Sequence, residues 1–328
     1  MNSTMTARPR THATSRFNRY LPVARIVAIV FIVFLLIATF MTDGFYTLSN
    51  MRAILNSAAV VGIIAVGAAA IVIGGHLFSM SLGATVAVCA MVFLSLLGFG
   101  LVIAILGTML VGALIVGAQG YLVGRFGANP IIITIGAGAL LEGGATWMSG
   151  GTSVHPPAGS PDFAFLAAPL FGIPFPVYVF VVVVILGEIG LRRSVFGRQL
   201  ILMGSSPKAA RAAALPVTRL TTGAFAIAGV TAGIAGVLLG AFNQSGTLTT
   251  AGTLTYDAIA AVLVGGLAVS GGRGSVLQAA GGAVLIAAVS SMLLLRGFSP
   301  PLEMLVLGLI VGAVVILNHV NSKDGETR

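Results

Sequence analysis

The chain has 328 residues, of which 57% are hydrophobic and 8% charged, and its formal net charge is +9. Soluble globular domains carry about 25% charged residues, so the composition excludes a soluble enzyme and indicates an all-α polytopic membrane protein. The positive charge gathers beside apolar runs, in the segment 1–25 and between Arg192 and Arg219. This placement points to anionic lipid, and not nucleic acid, as the counter-charge.

In chain order, the segment 1–25 is a basic N-terminal stretch containing Arg8, Arg10, Arg16, Arg19 and Arg25. No small-residue cleavage site follows the apolar run 26–40, and further spans come after it, so it is expected to be an uncleaved first helix and not a signal peptide. A span needs roughly 17–25 mostly apolar residues. Ten are expected, with eight or nine plus re-entrant segments as the alternative, centred on 23–41, 53–73, 82–97, 101–122, 131–148, 174–191, 221–241, 256–270, 276–295 and 302–318. They make up a transmembrane domain over 26–318, followed by a short tail, 319–328. Basic residues near span ends stay in the cytoplasm. That rule places both termini, Arg125, Arg273 and the 192–219 loop inside, leaving Arg52 and Arg296 outside at span ends where they can reach headgroups. The Pro-, Gly- and Ser-rich stretch 150–174 then lies outside as a cap or connector.

The 192–219 loop holds six Lys/Arg and no acid. Within it, Ser206 to Ala214 reads as a short helix with Ser206 as N-cap, Pro207 at the first helical position, and Leu215-Pro216 ending it. Helices in lipid associate through small residues. Gly229, Gly233, Gly236 and Gly240 lie on one face of the seventh span, as do Gly117, Gly120 and Gly124 on the fourth. Another helix should lie flush against each stripe. A weak internal echo relates AVGAAAIVIGG (65–75) to AAVLVGGLAVSGG (260–272), where glycine pairs can break the helix and let backbone line a cavity.

An ionisable group inside a span needs an explanation. Thr134, Gly138, Glu142 and Thr146 follow at four-residue steps in the fifth span, a polar stripe fit either to line a pathway or to hold helices together. Asp257 opens the eighth span, where a carboxylate is favourable near a helix N-terminus. Glu188 precedes Arg192 by four residues, the spacing of an i,i+4 pair. His76 sits with Gly74 and Gly75 at an expected helix break, and Asn129 precedes the fifth span. There is no HExxH, CxxC or GxSxG, the four histidines are scattered, and the single cysteine, Cys89, excludes an intrachain disulfide. Neither lysine follows a glycine, so no Walker A loop exists, and any ATP and Mg that drive the protein are bound by another subunit. The residues alone leave open an ion-coupled transporter using Glu142 and Asp257.

Three segments together resemble the permease subunits of bacterial ribose-type sugar ABC importers. GRQLILMGSSPKAARAAAL (197–215) is similar to that family's GR-x-x-x-A-I-G-x-N-x-x-A-A-R-x-x-G-I. DAIAAVLVGGLAVSGGRGSV (257–276) and NPIIITIG (129–136) resemble two further family motifs in the same order, so the likeness extends over about 45–318. The resemblance implies an inner-membrane pore made by two permease copies or by this chain and a sister subunit. It also implies a periplasmic substrate-binding protein and a cytoplasmic ABC ATPase, seated on a coupling helix in this loop. The matching positions are Gly197, Arg198, Gly204, Ala209, Ala210 and Arg211, with Ser206 and Lys208 beside them. Two features depart from the family. GGHLFSMSLG (74–83) is two residues longer than G-G-I-D-L-S-V-G and lacks its Asp, and Glu142-Gly143 stands where Arg-Gly is common. Both bear on the solute, which remains a pentose, hexose, polyol or other small polar molecule, with nucleosides and branched-chain amino acids as alternatives.

Overall fold

The computed structural model describes residues 33–34, 36–37, 40–268 and 271–323. It is a helical bundle with one two-stranded hairpin. The helices, in order, are α1 (Leu48–Ile73), α2 (Leu82–Leu96), α3 (Leu101–Phe126), α4 (Pro130–Ser149), α5 (Phe175–Arg193), α6 (Val195–Ser205), α7 (Pro207–Ala212), α8 (Val217–Asn243), α9 (Leu254–Val264), α10 (Val276–Leu295) and α11 (Pro300–Lys323). Strands β1 (Pro169–Leu170) and β2 (Ile173–Pro174) pair antiparallel between α4 and α5.

Among the described residues, seven helices are long and apolar enough to cross a membrane: α1, α2 with its 3-10 extension to Phe99, α3, α4, α5, α8 and α10. The expected first span, 23–41, falls largely outside the described residues. The expected span 256–270 is corrected to the 11-residue α9, which at 1.5 Å per residue reaches about 16 Å. Hydrocarbon is about 30 Å thick, so α9 crosses only part of it. The connector before it descends beside α2, with Gly246 against the Met91 backbone and the Thr255 hydroxyl accepting from Gly83 N at 2.8 Å.

Helix α1 is the most enclosed span and shares its core with α8, α9 and α10. Both glycine stripes lie in helix contacts, at different levels of the bundle. On α3, Gly117, Gly120 and Gly124 abut Ala226, Phe225 and Thr218 of α8, so the helices run antiparallel. On α8, Gly229 and Gly233 press on α3 at Gly112 and Met109, while Gly236 and Gly240 press on α2 at Cys89 and Phe93. A Cβ at Gly233 would lie 2.8 Å from Met109 Cα, and one at Gly236 2.6 Å from Cys89 Cβ. The stripe on α8 therefore serves two neighbours, one on each half of the helix.

The segment between α4 and α5 caps the C-terminal ends of α2 and α8. Phe163 and Leu166 bury against Phe93, Val237 and Ala241, and Val154 bridges Gly246. Arg52 and Arg296 end on nearby backbone: Arg52 Nε donates to Gly172 O at 2.9 Å, and Arg296 donates to Met41 O and to the Thr42 hydroxyl.

Candidate functional site

The basic loop folds as two helices where the sequence indicated one. Ser194 caps α6 by accepting from Gly197 N, and Ser206 caps α7 by accepting from Ala209 N, with Pro207 in the first turn. Helix α6 falls in the first part of the 192–219 loop, where no helix was expected. Gly197 is needed because a Cβ there would collide with the carbonyls of Gly190 and Leu191 at the end of α5. Arg198, Lys208, Ala209 and Arg211 are exposed, and so are Val195 and Leu202. Ala210 is instead buried against the bundle, so it belongs to the packing of the loop and not to its outer surface.

Gly204, at the end of α6, lies where two helix breaks meet. At the first break, Gly74 N, Gly75 N and His76 N donate to the carbonyls of Ala70, Val72 and Ile71. At the second, Gly265 N, Gly266 N and Leu267 N donate to those of Ala261, Leu263 and Val262. The same three-bond pattern closes both helices, and Gly75 and Gly266 carry φ of +82° and +83°, open to glycine at little cost. The internal echo of the sequence is thus a repeated helix stop. Downstream of the second stop, Gly272 N donates to Ile73 O at 2.9 Å, and Gly271 packs on Gly75. A Cβ on Gly204 would lie 2.6 Å from Gly272 N and 3.0 Å from Gly75 N, and closer still to Ile73 O. Ser205 Oγ donates to Gly272 O at 3.2 Å. Three segments distant in sequence therefore touch main chain to main chain.

The polar stripe on α4 divides. Thr134 and Gly138 are buried against the start of α2, where Met80 N donates to Thr134 Oγ1 at 3.0 Å, whereas Glu142 and Thr146 are exposed. The buried end adjoins a cluster that a search for ionisable groups overlooked. Ser81 Oγ donates to Gln119 Oε1 at 2.7 Å and lies 3.2 Å from Ser79 Oγ, while Gln119 Nε2 has no partner among the described residues. The available signal was an amide in a 26-residue helix whose other polar residues are Thr108, Tyr121 and the terminal Arg125.

The remaining candidates do not join this track. Asn129 caps α4 by accepting from Ile131 N at 2.9 Å, which accounts for it structurally. His76 Nε2 is 2.8 Å from Thr221 Oγ1 and its ring meets Phe225 edge-on, tying the first break to α8. Asp257 accepts from Thr253 Oγ1 and borders a cavity of about 220 Å³ between α9 and α11, away from Glu142. Thr255 points to α2 instead, since side chains two positions apart on a helix face nearly opposite ways. Glu188 pairs with Arg192 and also accepts from Val276 N at 2.8 Å and Leu277 N at 3.4 Å, capping α10 from α5. Among the described residues, no group of three or more His, Cys, Asp or Glu is placed to hold a metal.

Residues 50–315 match the family model described as branched-chain amino acid transport system / permease component. Among curated proteins, the chain is 30% identical over 279 residues to the autoinducer 2 import system permease protein LsrD of Photorhabdus laumondii, covering 80% of this chain and 83% of that protein. It is 32% identical over 266 residues to LsrD of Yersinia pseudotuberculosis strain YPIII, covering 78% of this chain and 79% of that one. LsrD of Yersinia pestis strain Angola is 31% identical over the same length. No solved structure matches the chain. With its apolar helices, the chain is a multi-pass inner-membrane protein. It belongs to the family of branched-chain amino acid transport system permease components, the membrane-spanning permeases of ABC importers.

Proposed function

We propose that this chain is the permease subunit of an ATP-driven importer, forming the path for a small, sugar-like polar solute delivered by a periplasmic binding protein. The observation that carries this reading is the α6–α7 segment. Its exposed face presents Arg198, Lys208, Ala209 and Arg211, while its other face reaches the main chain of both helix breaks through Gly204 and Ser205. A cytoplasmic ATPase that binds ATP and Mg and seats on this face can displace α6. With no long side chain between, the displacement reaches Gly75 and Gly272 directly.

Glu142 supports a second permease copy, either another molecule of this chain or a sister subunit. The carboxylate is exposed on an apolar helix long enough to cross the membrane, and lipid contact there costs about 2.5–3.5 kcal/mol on insertion scales. An aqueous path shared with a second copy removes that cost. The track then leads from Glu142 and Thr146 past Gly138 and Thr134 to Ser81 and Gln119, whose hydroxyls and amide suit the hydroxyls of a ribose-type monosaccharide. The names of the LsrD relatives make autoinducer 2 the first solute to try.

The test is gentle purification of the tagged chain from its native membrane, followed by mass spectrometry. Recovery of an ATPase with two Walker A loops and a periplasmic binding protein is expected, and the latter is then screened against ribose and autoinducer 2. A solitary chain that transports in vesicles on an ion gradient without ATP would overturn the reading.

A further inference from the structure

The hairpin Pro169–Pro174 has an unusual tip. Phe171 is 93% exposed and holds φ of +50°, a left-handed conformation that is uncommon for a bulky residue. Leu170 and Ile173 beside it are also exposed, and the six residues PLFGIP contain no charge. A tip of this kind standing in water would be unfavourable on two counts, apolar exposure and backbone strain.

The hairpin does not stand clear of the bundle. Tyr178 OH donates to Leu170 O at 3.0 Å, and Arg52 Nε donates to Gly172 O at 2.9 Å. Tyr178 is the fourth residue of α5 and Arg52 the fifth of α1, so each lies about 5 Å below the start of its helix. Both tip carbonyls are therefore held at the level of the first turns of two membrane-crossing helices. Below the hairpin, Val181, Val182 and Ile185 continue the Tyr178 face of α5 at helical spacing and are exposed, as a lipid-facing surface requires. The tip is continuous with that surface.

We propose that this hairpin is an interfacial anchor, with Phe171 seated at the headgroup–acyl boundary of the leaflet opposite the basic 192–219 loop. An aromatic and two aliphatic side chains suit that depth, where aromatic residues concentrate. Arg52 and Tyr178 supply the polar side of the anchor, and their hydrogen bonds hold the turn open for insertion. Its role is to fix the depth of α1 and α5 in the bilayer.

The chain has one tryptophan, Trp147, so a Trp147→Phe background makes a reporter at the tip unambiguous. Phe171→Trp, and separately Ile173→Trp, are placed in this background of the full chain and reconstituted into phosphatidylcholine vesicles. Brominated-acyl phosphatidylcholine is expected to lower emission by about twofold or more, with iodide on both sides nearly without effect, since interfacial side chains lie about 5–10 Å below the water boundary. Quenching by iodide and not by bromine would overturn the anchor and leave the tip as a surface for a soluble protein. Quenching by neither would also overturn it, showing the tip to be covered by a second copy.

Discussion

Replacing Gly204 by Ala tests the junction of the two helix breaks most directly. The new Cβ would sit 2.6 Å from Gly272 N and 3.0 Å from Gly75 N, with Ile73 O nearer. All three are main-chain atoms, so none can rotate aside, and the segments must part by roughly 1 Å to restore contact distance. Overpacking of this kind costs about 1–3 kcal/mol. The separation also strains the hydrogen bond from Gly272 N to Ile73 O, worth about 1 kcal/mol. Against this, alanine gains about 1 kcal/mol over glycine within a helix, leaving a net destabilisation of about 1–3 kcal/mol. Cys89 is fully buried and is the only cysteine, so a thiol-reactive dye reports loss of the folded state in detergent. The midpoint is expected to fall on the order of 5 °C. Gly281→Ala on α10, which meets nothing within 4 Å, is expected to hold or raise it. A Gly204→Ala protein as stable as the parent would refute the main-chain contact.

Five further substitutions separate the roles of individual residues. Ala209→Asp, at the exposed position of α7, is expected to reduce ATPase co-purification at least about tenfold without shifting the thermal midpoint, whereas Ala210→Asp buries a charge and should lower the midpoint itself. Glu142→Gln is expected to change uptake per molecule with unaltered membrane abundance; reduced abundance with normal uptake would assign the carboxylate to assembly. Gly233→Leu should separate α8 from α3 and sharply reduce the yield of folded protein, measured by size-exclusion chromatography. Glu188→Ala removes the acceptor for Val276 N and Leu277 N beside the Ser275 cap of α10 and should cost about 1–2 kcal/mol in the dye assay. Most of that cost comes from the freed N–H groups, since the exposed Arg192 contributes little as an ion-pair partner.

Much of the bundle was legible because lipid imposes a simple rule, long apolar runs closed by polar or basic ends. That rule located the seven long helices and the capped helix after Ser206, and the glycine spacing indicated which helix faces come into contact. It failed where backbone leaves the helix within the protein. Residues 258–268 are apolar or glycine throughout, yet paired glycines stop α9 after Val264, and hydropathy does not register a main-chain stop. Asn129 and Asp257 looked alike as polar groups near span starts, but capping and a separate cavity remove them from the α4 track. Gln119 went unnoticed because an uncharged amide weighs little in a count of intramembrane charge. Its buried Nε2, without a partner among the described residues, is visible only once Ser81 is brought beside it.

The brevity of α9 bears on how the membrane is crossed at this place. Between α8 and α9 the chain runs alongside α2 as a connector with only a short 3-10 turn, Leu248–Ala251, and its peptide groups cannot face lipid without large cost. They are walled by protein, on α2 at Met91 and on the α4–α5 segment at Val154. Helix α9 then supplies about 16 Å of regular helix, well short of the full hydrocarbon layer, about 30 Å. Roughly half of the layer at this place is left to main chain that rests on its neighbours, and the breaks at Gly75 and Gly266 close α1 and α9 at the other end.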